Sequence, residues 1–332
     1  MPVTWLSNFR MKRNLLYLIF LTKLLLSCTS FPENPIPDVQ PVPSIQLKNY
    51  PDGFNFFVVS DLDRNGIKNQ KKMANQMALQ AENTYPEFIV SCGNNFQAEG
   101  VESVEDPLWK SGFEHVYKKP ALQVDWFPVL GNRDYKGNSQ AEIDYSNIST
   151  RWHLKSRYYT FVRQINDSVS ALFIFLDTVP LIDKYYQKQD YEDVAKQDSS
   201  RQIAWLKAIL ANSKEQWKLV FGHHPIYSAN PKQGINSDLI QRIKPILEKY
   251  NVQFYISGHN RNLQHLKESG GKLDYMVNGS GSENQPIATN VMSLFSKSVS
   301  GFSSVTFHGD SIRYAFINSK GQPEYSFERS YK

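Results

Sequence analysis

Cysteine is almost absent: the 332-residue chain has two, Cys28 and Cys92. That excludes a fold stapled by several disulfides. A long apolar run is missing as well. The best stretch, Leu15 to Leu26, is interrupted by Thr22 and Lys23 and is too short to span about 30 Å of hydrocarbon. An excess of one charge is also missing from most of the chain. The formal +5 comes from 37 basic and 32 acidic residues, and Arg10, Lys12, Arg13 and Lys23 stand in an N-terminal stretch with no acid. Residues 28–332 carry 33 basic against 32 acidic side chains, so global charge gives nucleic-acid binding no support. With 41% apolar and 13% aromatic residues, a disordered chain is excluded too.

The N-terminus reads as an address. Basic residues precede the Leu15–Leu26 run, as in a signal peptide, and Leu25-Leu26-Ser27-Cys28 resembles a bacterial lipobox. We expect residues 1–27 to be a lipoprotein signal peptide and Cys28 to carry the lipid; an ordinary signal peptide with an incidental cysteine is the alternative. Pro32, Pro35, Pro37, Pro41 and Pro43 then predict an extended tether over 28–49. A domain over 50–332 follows.

From Phe54 the chain alternates apolar runs with amphipathic stretches. The runs are Phe54–Val59, Phe88–Val90, Trp126–Leu130, Ala171–Leu176, Trp217–Phe221 and Gln253–Ile256. Met73, Met77 and Ala81 mark one helical face, Ile203, Leu206 and Leu210 another, and Leu239 to Tyr250 a third that Pro245 should kink. This is the pattern of βαβ units with sheets buried on both faces. The tail from Ser303 alternates polar and apolar residues, as antiparallel strands do. Tyr185-Tyr186 and Tyr191, amid Lys184, Lys188 and Asp190, read as an exposed loop, and the stretch of about 180–199 is a candidate cleft rim or partner contact.

Polar signatures cluster where the apolar runs end: Ser60-Asp61-Leu62-Asp63, Gly93-Asn94-Asn95-Phe96-Gln97, Gly131-Asn132-Arg133-Asp134, Gly222-His223-His224-Pro225 and Gly258-His259-Asn260-Arg261. In α/β sheets the carboxyl ends of the strands form the ligand crevice. Each signature alone is common turn chemistry, but five in this order are specific.

Together with Ala141–Trp152 and Phe173–Val179, they resemble the purple acid phosphatases of the small, tartrate-resistant type, within the calcineurin-like metallophosphoesterases. The resemblance runs from about residue 54 to about residue 325. It implies an α/β fold, a four-layer α/β/β/α metallophosphoesterase sandwich with two mixed sheets. It also implies a site of iron(III) and a divalent partner that supplies a metal hydroxide nucleophile. Carried over by position, Asp61 matches an iron ligand, and Asn132, His223 and His259 match ligands of the divalent metal. Asn94 replaces the bridging aspartate, Gln97 the iron-binding tyrosine that gives the purple colour, Arg133 a substrate-facing histidine and Arg261 the last iron-ligating histidine.

The family's set offers two aspartates and a phenolate; this chain offers Asp61 and two arginines, which stay protonated and repel a cation. Three expectations follow. The first is a pseudophosphatase, a binding or assembly domain at the bacterial cell envelope, membrane-anchored through Cys28, facing the periplasm or the outside. On this expectation it has no metal cofactor, and its candidate partner is an envelope protein. Arg133, Arg261 and His224 would either clamp a phosphate or carboxylate or, more blandly, neutralise nearby aspartates. The second is a phosphomonoesterase with one Zn, Mn or Fe ion on Asp61, Asn94, Asn132, His223 and His259. The third is a hard-cation site on Asp61, Asp63 and Asp134, short of oxygen ligands.

Overall fold

The strands are nearly continuous apolar runs because both faces of each central strand are covered. A computed structural model describes residues 50, 52–62, 68–96, 98–230, 235–278 and 281–331. Cys28, the stretches expected as signal peptide and tether, Asp63 and Gln97 lie outside the described residues. The strands are β1 (Phe54–Val59), β2 (Phe88–Ser91), β3 (Asp125–Pro128), β4 (Tyr159–Gln164), β5 (Ser170–Phe175), β6 (Trp217–Phe221) and β7 (Phe254–Ser257). Then follow β8 (Leu263–Lys267), β9 (Asp274–Val277), β10 (Ser293–Lys297), β11 (Gly301–His308), β12 (Ser311–Asn318) and β13 (Pro323–Ser330). Helices α1 (Lys68–Thr84), α2 (Ser139–Asp144), α3 (Ser199–Asn212), α4 (Ser237–Arg242) and α5 (Lys244–Lys249) flank them. The break between α4 and α5 falls at Ile243, two residues before Pro245, where proline removes a helix hydrogen bond. Among the described residues no helix is long and apolar enough to cross a membrane.

Two mixed sheets result, in the orders β13-β12-β11-β1-β2-β3 and β10-β8-β9-β7-β6-β5-β4. β1, β2 and β3 run parallel in the first, and β5, β6, β7 and β9 in the second. Between the sheets lies an aromatic layer. Phe56 stacks on Phe88 at 5.0 Å and meets Phe173 edge-on at 5.5 Å, joining one sheet to the other. The alternate residues Phe57 and Val59 face outward into a second cluster with Met73 and Met77 of α1. This is the four-layer α/β/β/α arrangement, and it brings the carboxyl ends of β1, β2, β3, β6 and β7 together.

The tail departs from its expected one-sided alternation. β11 and β12 are buried along nearly their whole length. Val305, Phe307, Ile312 and Tyr314 enter the layer between the sheets, while Phe302 and Ile317 enter the helix-side cluster. The polar members of the pattern, such as Ser303 and Thr306, are buried with hydrogen bonds to Asn278 and Asn55.

The segment 180–199 is exposed over much of its length, Tyr186 included, but two tyrosines of the expected exposed loop turn inward. It forms 3-10 turns over Asp183–Tyr185 and Gln189–Lys196, and Tyr185 and Tyr191 are 3% and 5% exposed. Its apolar residues are few, but Val194 is also buried and the rest is fixed by ions. Arg242 Nη2 pairs with Asp183 at 2.6 Å, and Arg157 Nη2 with Asp193 at 2.6 Å. Arg157 Nη1 also donates to Tyr135 Oη at 2.8 Å, and that hydroxyl donates to buried Asp177.

Burial pushes the Asp177 carboxyl up from 3.8 to about 7, against the pull of Arg157. The folded state therefore keeps a proton there that the unfolded state releases above about pH 4, and this group makes native stability fall as pH climbs from about 4 to about 7. Asp177→Asn cannot ionise. Its stability relative to wild type, from urea unfolding, should improve between pH 5 and pH 8 by up to about 1.4 kcal/mol per unit; a difference independent of pH would overturn the assignment.

Candidate functional site

The loops at the strand ends are held in backbone conformations that few side chains adopt. Asp61, Asn94, His259 and Arg261 all have positive φ, between 51° and 67°, in the left-handed region that costs a non-glycine residue about 1–2 kcal/mol. Gly131 lets these loops touch, since a Cβ there would lie 2.3 Å from the Asn94 nitrogen. Gly93, at φ 83°, likewise leaves room for the His223 ring.

Asp61 is fully buried, and its carboxylate is surrounded by donors. Oδ2 accepts from Ser60 Oγ and from the His259 backbone N–H, both at 2.8 Å. Oδ1 accepts from Asn94 Nδ2 at 2.9 Å, with Arg261 Nε 4.0 Å away. The Asn94 amide can point only one way. Its Oδ1 accepts from the Arg133 backbone N–H at 2.8 Å, which can only donate, and its Nδ2 meets a carboxylate, which can only accept. Arg261 is engaged further by Glu283, 2.6 Å from Nη1.

The iron half of the expected two-metal centre does not fit these residues. The Asn94 group turned toward Asp61 is an NH₂ with no lone pair for a metal, and Arg261 brings a fixed positive charge to the same carboxylate. At 4 Å and an effective dielectric near 20, two unit charges interact by about 4 kcal/mol; that attraction favours Asp61–Arg261 and opposes an added cation. Of the two bland and sharp readings of the arginines, Arg261 has the geometry of the neutralising one.

The divalent half is different. His223 Nε2 lies 3.1 Å from His259 Nδ1 and 3.1 Å from Asn132 Oδ1. His223 Nδ1 is 2.8 Å from the Cys92 carbonyl, so that nitrogen carries the proton and Nε2 presents a lone pair. Burial, chiefly, lowers the pKa of His223, and burial with the neighbouring His223, Lys184 and both arginines lowers that of His259. Neutral imidazoles and an amide oxygen converging in this way suit a divalent ion, which would be held by His223, His259 and Asn132. The same atoms also close without one. Turning the Asn132 amide by 180° lets Nδ2 donate to His223 Nε2 while Oδ1 accepts from Tyr191 Oη, now 3.4 Å from Nδ2.

His224 has a nitrogen within 4.8 Å of those of His223 and His259 but is already satisfied: Nδ1 meets Thr178 Oγ1 at 2.9 Å and Nε2 meets Tyr185 Oη at 2.7 Å. It is 1% exposed, so it does not join an anion clamp. Arg133 donates to the Ala98 carbonyl at 3.4 Å. Asp134 is turned from Asp61. It accepts from the Gly131 N–H at 2.7 Å and shares Asn95 with buried Glu142, and burial raises both carboxyls; it makes no cation site with Asp61.

The cleft-rim alternative for 180–199 has support here: Tyr185 hydrogen-bonds His224 and Tyr191 meets Asn132 at the cleft. In the sequence the signal was weak: two tyrosines among lysines, with no helical or strand period. What opening is left, about 290 Å³, is lined in part by Lys184, His224, Asp238 and His259.

Comparison with known proteins agrees with this geometry. The sequence profile of the calcineurin-like phosphoesterases matches residues 54–260. Purple acid phosphatase 7 of Arabidopsis thaliana is 34% identical over 245 residues, 71% of this chain and 73% of the relative. Tartrate-resistant acid phosphatase type 5 of Oryctolagus cuniculus is 37% identical over 204 residues, 60% of this chain and 62% of the relative. Among solved structures, one described as "GAP50 the anchor in the inner membrane complex of Plasmodium" superposes with a TM-score of 0.73 at 28% identity, over 84% of this chain and 89% of that one. The yellow lupin purple acid phosphatase PPD1 shares the fold, with a TM-score of 0.61 at 15% identity over 85% of this chain and 55% of that one. With its strand-end loops, its two-sheet core and these relatives in agreement, the chain belongs to the calcineurin-like phosphoesterases, among the purple acid phosphatases.

Proposed function

We propose that this chain is a purple-acid-phosphatase domain that has given up two-metal hydrolysis and serves as a binding or assembly module at a membrane. One observation carries the reading: the Asn94 amide donates to Asp61, so an N–H faces that carboxylate where a shared metal would need a second acceptor. Arg261 beside Asp61 supports it with a permanent cation. The GAP50 structure, whose description names an anchor in a membrane complex, supports an assembly role. A lipid on Cys28 would supply the membrane attachment and place the domain at a bacterial envelope. Any phosphate or carboxylate entering the cleft would meet Arg133, because Arg261 and His224 are engaged.

A second reading, a phosphomonoesterase with one divalent ion, is favoured by the convergence of His223 Nε2, His259 Nδ1 and Asn132. In it the ion would polarise a phosphoryl oxygen, Arg133 would bind the substrate, and Asp61, already filled with donors, would be a poor base.

Metal analysis by mass spectrometry on the full chain, produced with iron, zinc and manganese available, separates the two. The pseudophosphatase should hold no stoichiometric metal and show no hydrolysis of p-nitrophenyl phosphate with any of the three added. One tight metal with metal-dependent turnover would establish the second reading, and two would refute the first. Colour is no guide, since Gln97 replaces the tyrosine. A companion experiment rebuilds the ligand set: Asn94→Asp, Gln97→Tyr, Arg133→His and Arg261→His together should recover metal uptake. A folded quadruple variant that binds none would overturn the position-by-position assignment.

A further inference from the structure

On the outer helical layer, away from the strand-end loops, a groove runs between α1 and the turn that follows the helical segment Trp109–Glu114. Lys71 and Asn75 of α1 form one side, and His115, Lys118 and Lys119 the other, around about 550 Å³ that the buried Val116 also lines. Lys72 and Lys110 are exposed on the same two segments. No carboxylate among the described residues lines the groove. Among the described residues, none of Lys71, Lys72, Lys110, Lys118 and Lys119 forms an ion pair. The acid nearest in sequence, Glu114, is taken by Arg151.

Both walls are fixed from inside. Gln70 Nε2 of α1 donates to the Gly112 carbonyl at 2.9 Å, tying the walls together. Arg151 Nη1 donates to the Tyr117 carbonyl at 3.0 Å and the Leu122 carbonyl at 3.3 Å, and its guanidinium lies over the Phe113 ring at 4.7 Å. The concavity therefore exists before anything enters it, which lowers the ordering cost of binding.

We infer that this groove docks an acidic, extended segment of a partner protein. Lysines on both walls with no acid between them complement a negative strand of chain. A flat bilayer surface does not enter a concavity. The lining also offers no buried polar group to orient a compact small ligand, which such pockets ordinarily have. The inference names the kind of partner that the assembly reading needs and rests on that reading only to that extent. The groove shares no residue with Asp61, Asn94, Asn132, His223 or His259, so a metal found at those residues would overturn the pseudophosphatase and leave the groove standing.

The test is fluorescence anisotropy of the full chain with a labelled poly-glutamate peptide at low and physiological salt. Saturable binding that weakens with salt is expected. Lys71→Glu with Lys118→Glu and Lys119→Glu should lower the affinity about tenfold or more, and the corresponding three Gln substitutions should lower it less. Thermal melting checks that each variant is folded. Reversing three exposed lysines elsewhere, Lys155→Glu, Lys207→Glu and Lys214→Glu, should leave binding unchanged; an equal loss would reduce the effect to net charge and overturn the site. Unaltered binding in the groove variant would overturn it as well. So would lysine-dependent binding to phosphatidylserine vesicles or to duplex DNA without binding to the peptide.

Discussion

The carboxylate of Asp61 is the point on which the strand-end region turns. A buried carboxylate must be compensated, and the compensation chosen decides what else the loops can hold. Here it comes from the chain itself: the Ser60 hydroxyl, the Asn94 amide, the His259 backbone N–H and the Arg261 guanidinium. A charge satisfied by fixed donors has little left to offer an ion from solution. The same residues connect loops that are far apart in sequence, since Asn94 also takes the Arg133 N–H and Arg261 also meets Glu283.

The other side of the cleft is built differently. Burial and nearby cations lower the pKa of His223 and His259, and the facing nitrogens, His223 Nε2 and His259 Nδ1, lie 3.1 Å apart, as donor and acceptor to each other or as two ligands of one ion. The two halves of the strand-end cleft thus have opposite chemistry. One is a closed network of donors around a single anion, and the other is a set of uncharged imidazole and amide groups under a tyrosine cover.

Much of the framework could be read in the sequence because its signals were local. Phe54–Val59 and Trp217–Phe221 are strands with the bounds that their apolar runs suggest, and Pro245 divides its helix near where ring geometry requires. The site residues were visible as loci, since glycine and short polar residues at strand ends leave a recurrent pattern. Their orientations were not. Nothing in the residue type says that the Asn94 amide presents its nitrogen to Asp61; that follows from the Arg133 N–H, which only the fold brings there. The inward turn of Tyr185 and Tyr191 within the exposed segment 180–199 was hidden for a similar reason. Arg157 and Arg242 reach that segment from distant elements, and 3-10 turns leave no clear period. In β12 the alternation is real, but a covered outer face buries the polar residues too.

The four left-handed residues have a consequence for recognition by the cleft. Asp61, Asn94, His259 and Arg261 hold these dihedrals within a network of hydrogen bonds and close glycine packing. Their strain is thus met by the scaffold in the absence of any guest. A molecule admitted past Tyr185 and Tyr191 would find the walls already shaped, and its affinity would be spent on displacing the cover rather than on moulding the loops.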